Sequence, residues 1–227
     1  MNKKITLYHG SNRIIKVPQY GVGNPYNDYG MGFYCTQSLD LANEWAVNDD
    51  CDGYANEYTL AMEDLSVLNM KQENYNILHW LTILLQNRLF DVQSDFGEEA
   101  KQYLIRYFDI QYQQYDVIIG YRADDSYFSF AQDFLNNAIS LSVLSSAMRL
   151  GKLGEQIVLK SQRAFEHISF QRATFAEASI WQPQKLERDT RARRDYFESR
   201  KVPWKKGEIY MMQILEEEIR ADDARLR

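Results

Sequence analysis

Two short N-terminal stretches constrain this chain more than anything else in it: Leu7-Tyr8-His9-Gly10-Ser11 and Tyr29-Gly30-Met31-Gly32-Phe33-Tyr34-Cys35-Thr36. Each reads as a strand meeting a small-residue turn. In the first, Ile5, Leu7 and His9 share one face, Thr6 and Tyr8 the other. Glycines beside His9 and Tyr34 let another group come close to the backbone. A third stretch, Gly154-Glu155-Gln156-Ile157-Val158-Leu159, puts a carboxylate and an amide at the head of another strand.

Between these stretches the pattern changes repeatedly. Residues 17–31 are rich in Pro, Gly, Asn, Asp and Tyr and predict a long ordered loop, a length without regular structure that is usually functional. Ser38 caps a predicted helix over 39–47. Strand pieces are expected at 57–62 and 65–70. Apolar residues at helical spacing predict helices over 74–90 and 98–108, with more at 128–136 and 141–150. Residues 115–120 read as a buried strand followed by a loop at 121–125, and further strands are expected at 156–160 and 168–175. After Pro183 the chain turns charged, with arginines at 188, 191, 193, 194 and 200, and a last helix is expected over 208–227. The expected organisation is α+β: one domain over 1–184 with a helical insertion at about 72–110, and a C-terminal helical appendage over 185–227.

Composition narrows the function classes. No apolar run is long enough to span a bilayer, and the charged N-terminus lacks the apolar core of a signal peptide, which favours the cytoplasm. Two cysteines are too few for a disulfide framework or a zinc cage, and three scattered histidines lack zinc-helix spacing, so no metal site is expected. A net charge of -6 argues against a dedicated duplex-binding protein but not against a nucleic acid as transient substrate. There is no phosphate loop, dinucleotide fingerprint or nucleophile elbow.

The chemistry-bearing candidates are few. His9, at a strand end before Gly10 and Ser11, can hydrogen-bond a hydroxyl in its neutral form, whereas His79 and His167 read as structural. Tyr34 can stack on a flat cationic ring, with Tyr29 and Phe33 as competing aromatics. Glu155 and Gln156 are neighbours on one strand and must point to opposite faces, so only one can line a cleft. A glutamate there could stabilise positive charge developing at an anomeric carbon; a glutamine would keep the hydrogen bond and lose the charge. Arg122, Asp124 and Asp125 follow a buried strand, where binding groups accumulate and where a turn with an internal salt bridge is equally at home. Cys35 has no evident base partner and is not read as a nucleophile.

In their order, these motifs resemble the His–Tyr–Glu branch of the ADP-ribosyltransferases, which includes diphtheria toxin and the poly(ADP-ribose) polymerases. More closely they are similar to an uncharacterised bacterial family assigned to that fold. That family shares the opening at Tyr8-His9-Gly10-Ser11, the strand at Gly32-Phe33-Tyr34 and a loop like Gly120-Tyr121-Arg122-Ala123-Asp124-Asp125. It also shares the strand Gln156-Ile157-Val158-Leu159 and a C-terminal helix over 209–218. The resemblance implies split antiparallel sheets with inserted helices around an NAD cleft. NAD would be a substrate held by His9, Gly10, Ser11, Gly32, Phe33 and Tyr34, with Arg122, Asp124 and Asp125 contributing from their loop. His9 would hold the adenosine-side ribose and Tyr34 would stack on nicotinamide. By the family's strand register Gln156 falls where the transferase glutamate normally sits, with Glu155 one residue early. If Gln156 faces the cleft, negative charge comes from Asp124 or Asp125, or transferase activity is lost; if Glu155 faces in, it takes the standard role. The implied activity is transfer of ADP-ribose to a protein or nucleic acid with release of nicotinamide, as in toxins of toxin–antitoxin, phage-defence or effector systems, where an antitoxin protein would be a partner. The alternatives are a non-catalytic NAD or ADP-ribose sensor and an enzyme that moves a 2′-phosphate from RNA to NAD. The last would want basic groups near the cleft, and the arginines cluster in the appendage instead.

Overall fold

The alternation in the first stretch becomes strand β1 (Lys4–Ser11), which turns Leu7 fully into the interior. The chain continues through β2 (Phe33–Cys35), α1 (Leu39–Ala46), β3 (Gly53–Ala61), β4 (Val67–Asn69), α2 (Ile77–Asn87) and α3 (Asp95–Phe108). It then forms β5 (Val117–Tyr121), α4 (Asp125–Leu135), α5 (Leu141–Ala147), β6 (Glu155–Leu159), α6 (Gln162–Glu166), β7 (Ile168–Ala176), α7 (Ala178–Arg200) and α8 (Met211–Glu216). This computed structural model describes residues 3–49, 51–90, 92, 94–123, 125–147, 155–200 and 206–226, with side chains left out at 125–128, 199 and 200.

The architecture is α+β, with two sheets. One has the order β1-β3-β7 and is antiparallel throughout; the other has the order β2-β6-β5-β4, antiparallel except for the β4–β5 pair. An apolar layer between the sheets joins Leu7, Tyr58 and Leu60 to Phe33, Cys35, Ile157 and Leu159. A second layer covers the opposite face of the four-stranded sheet, where Ile118 and Val158 meet Leu81, Leu104, Phe130 and Ile214. Burial on both faces is why β5 and β6 read as continuous apolar runs rather than alternating ones. The sheets are linked where Tyr8 N donates to Thr36 O at 2.7 Å and Thr36 N to Tyr8 O at 2.9 Å.

The helix starts follow capping chemistry. Ser38 Oγ accepts from Leu41 N, and Asn76 Oδ1 accepts from Leu78 N while His79 Nδ1 accepts from Asn76 N. His79 is thereby occupied in closing a helix end. Two sequence expectations change. The strand expected over 65–70 is only Val67–Asn69. The helix expected over 208–227 is short: α8 stops where Glu218 takes a left-handed φ of 49°, and a 3-10 turn at Ala224–Leu226 follows. Helix α7 begins at Ala178 and runs through Pro183. Helix α6 was not foreseen, because five residues carry too little periodicity to register.

Helix α7 belongs to the body by contact. Ala192 and Tyr196 are buried in the helical layer, and Arg188 pairs with the buried Glu44 of α1. Among the described residues no helix is long and apolar enough to cross a membrane.

Helix α1 crosses β1 so closely that a Cβ on Gly10 would lie 2.1 Å from Ala42 O and 2.7 Å from Ala46 N. Both obstacles are backbone and cannot rotate away. We expect Gly10→Ala to destabilise the fold by about 1–3 kcal/mol, the usual cost of overpacking, visible as a lower denaturant midpoint.

Candidate functional site

A cavity of about 1230 Å³ lies between the end of β1, the start of β2, the loop that joins them, the head of β6 and one side of α7. His9 enters from β1. Its Nδ1 lies 2.7 Å from Tyr34 O, and because a carbonyl can only accept, the imidazole donates there and keeps Nε2 as an acceptor. Burial pushes its pKa below the ordinary value, against a smaller raising effect of the Tyr34 bond, so His9 is neutral at pH 7. Its ring lies 4.4 Å from that of Phe33.

The Tyr34 hydroxyl is held twice: it donates to Gly30 O at 2.5 Å and accepts from Tyr29 N at 3.1 Å. That turn needs Gly30 at a left-handed φ of 71°. Lys160 Nζ donates to Tyr29 O and Met31 O, 2.5 Å each, and loss of hydration pushes its pKa down to about 8. Tyr29 itself is fully buried, its hydroxyl donating to Tyr121 O at 2.8 Å. The ring of Tyr34 therefore has little freedom to turn.

Pairing decides between Glu155 and Gln156. Tyr34 sits opposite Val158 on β6, and Gln156 lies two residues further along, on the same face. Gln156 is buried and lines the cavity. Glu155 points the other way and pairs with Lys71 near solvent. Gly10, Ser11, Gly32, Phe33 and Arg122 also line the cavity. The small size of Gly10 and Gly32 nevertheless serves packing: a Cβ on Gly32 would lie 2.7 Å from Val158 Cγ1 and 2.9 Å from Leu159 O. Arg122 lies 4.9 Å from the Trp45 ring. Asp124 lies outside the described residues, and of Asp125 only the backbone, at the head of α4, is described.

The structure adds residues that motif reading missed. Asp28, from the long loop, is buried at the cavity wall. Its Oδ2 accepts from Gln156 Nε2 at 2.6 Å and from Ala123 N at 2.8 Å, and its Oδ1 from Arg88 Nε at 2.9 Å. Loss of hydration raises the Asp28 pKa, with the Arg88 charge opposing. The length and composition of the loop flagged it, but nothing distinguished Asp28 from Asn24 or Asn27 within it. Helix α7 brings Lys185, Asp189 and Arg193 to the cavity lining. Together with Arg13, Lys16, Arg88 and Arg122, this gives the cavity, among the described residues, six cationic side chains against two carboxylates, in a chain of net charge -6. Such a lining suits an anionic ligand. Among the described residues no three His, Cys, Asp or Glu side chains group as metal ligands, and burial pushes the Cys35 thiol well up, out of nucleophile range.

The histidines give a pH test. Burial holds the pKa of His9 and His79 below 6.5, so the unfolded chain takes up these protons first. Their contribution to stability is present above pH 6.5 and is lost as pH falls through that value toward the lower folded pKa. The raised carboxyls of Asp28 and Glu44 act in the opposite sense. The diagnostic quantity is therefore a difference: between about pH 7 and about pH 5 the Tm of His9→Gln should change less in the acid-destabilising direction than that of wild type.

No curated protein and no solved structure matches the chain. One family profile does, over residues 5–170, a span that takes in His9, Asp28, Tyr34 and Gln156 and ends before α7. The chain belongs to that family, described as "Protein of unknown function (DUF3990)".

Proposed function

We propose that this protein is an ADP-ribosyltransferase of the His–Tyr–Glu type, with glutamine in the glutamate's place. The proposed fold is accordingly the split-sheet ADP-ribosyltransferase fold, with the seam of the two sheets as its NAD cleft. The observation that carries the reading is that His9, Tyr34 and Gln156, from three strands far apart in sequence, line one cavity whose wall is strongly cationic. A dinucleotide supplies what such a wall needs: two phosphates for the cations, ribose hydroxyls for His9 Nε2 and the Gln156 amide, and a flat cationic ring for Tyr34. The volume exceeds that of most small-molecule pockets, as NAD requires.

On this reading NAD is a substrate, no metal takes part, and the nicotinamide–ribose bond is cleaved through an oxocarbenium-like state. ADP-ribose then passes to a protein or nucleic acid. A cytoplasmic toxin with an antitoxin partner is the setting this activity fits. The basic lining favours one second reading, 2′-phosphate transfer from RNA to NAD. The objection that the basic residues cluster in the C-terminal segment loses force, since Lys185 and Arg193 of that segment line the cavity. The glutamine in place of a catalytic carboxylate keeps the non-catalytic sensor as the alternative from another class.

The test is nicotinamide release from labelled NAD in the presence of cell lysate. We expect release and a labelled macromolecule with wild type, and losses of about 10²-fold or more in Tyr34→Ala and Gln156→Ala. Equal rates in all three proteins would sink the reading. Turnover only on adding 2′-phosphorylated RNA would select the second reading, and tight NAD binding without turnover the sensor.

A further inference from the structure

The amide of Gln156 can sit only one way round. Nε2 is 2.6 Å from Asp28 Oδ2 and 3.4 Å from Tyr121 O. A carboxylate and a backbone carbonyl have no hydrogen to give, so the amide nitrogen must face them both. The end of Gln156 left for a ligand in the cavity is its oxygen. Asp28 cannot turn to offer anything else, because Ala123 N holds one carboxylate oxygen and Arg88 the other, while Asn87 Nδ2 donates to its backbone carbonyl at 3.3 Å.

We infer that Asp28 is a positioning residue: it turns the Gln156 carbonyl oxygen into the cavity as an acceptor for a ligand hydroxyl, and it places a carboxylate directly behind that amide. This is the hydrogen-bonding half of a glutamate's role, with the carboxylate displaced by one side chain. The inference rests on the proposed function for the identity of the hydroxyl, the nicotinamide-side ribose of NAD. It also explains why a buried carboxylate is retained: paired charges in an interior contribute little net stability compared with apolar packing, whereas a fixed acceptor serves a ligand.

A purely structural Asp28, stapling the loop to the body through its charge on Arg88, predicts different behaviour from a positioning one. In Asp28→Asn the backbone Ala123 N–H holds the new side chain's oxygen where Oδ2 was, so Gln156 keeps its orientation while the pair with Arg88 is lost. In Asp28→Ala no acceptor remains and the amide is free to turn. In Gln156→Glu a carboxylate meets both Asp28 and the Tyr121 carbonyl. We expect Asp28→Ala and Gln156→Glu each to lose about 10²-fold in kcat for nicotinamide release and Asp28→Asn to stay within about tenfold of wild type. Gln156→Glu matching wild type, or Asp28→Asn no better than Asp28→Ala, overturns the inference. The Gln156 side-chain NH2 signals in ¹⁵N NMR decide the orientation without NAD. Slow hydrogen exchange in wild type that becomes fast in Asp28→Ala supports it, and fast exchange in wild type overturns it. If wild type releases no nicotinamide, the transferase reading falls and the NMR arm still decides the orientation.

Discussion

The two backbone hydrogen bonds between Tyr8 and Thr36 join the two sheets, and the site is arranged around that link. It brings the last residues of β1 beside β2, so that the next residue along, His9, reaches the Tyr34 carbonyl. That contact sets the imidazole tautomer and leaves one acceptor for a ligand. The pairing of β2 on β6 then puts Tyr34 and Gln156 on one face. Apolar packing between the sheets, from Leu7 to Leu159, supplies the driving force but does not choose which polar groups meet.

The site is costly to maintain. Asp28 and His9 are both buried enough to be shifted toward their neutral forms, and Lys160 is partly stripped of water. Each is offset: His9 and Lys160 donate to backbone carbonyls, and Asp28 accepts from Ala123 N and pairs with Arg88, so none is an isolated buried charge. Perturbed ionisable groups gathered in one cleft are typical of binding and catalytic sites. The role of α7 extends this. It adds two cations and one carboxylate to the cavity lining from beyond the matched family segment, so part of the site comes from the charged C-terminal segment.

Much of the scaffold was legible in the sequence because strand alternation and helix periodicity are local. Strands β1, β2, β5, β6 and β7 and helices α1 to α5 all lie close to their expected spans. The local pattern is weak elsewhere: five residues are too few for α6 to show a period, and the left-handed Glu218 that ends α8 leaves no signal in residue type. The reading of Gly10 and Gly32 as openings for a ligand missed their steric reason, which lies in a helix and a strand distant in sequence.

By itself the sequence determined the element types, the short polar motifs at strand ends and the restriction of β6 to one inward polar residue, since alternation is a property of the backbone. Tertiary structure decided which residue that is. The face that Gln156 occupies follows from its pairing with β2 and β5, not from its own type. Tertiary structure also brought Arg88 to Asp28, 60 positions away, behind the Gln156 amide, and α7 to the cavity lining. Those approaches arise from how whole elements pack, and a residue's local neighbours carry no record of them.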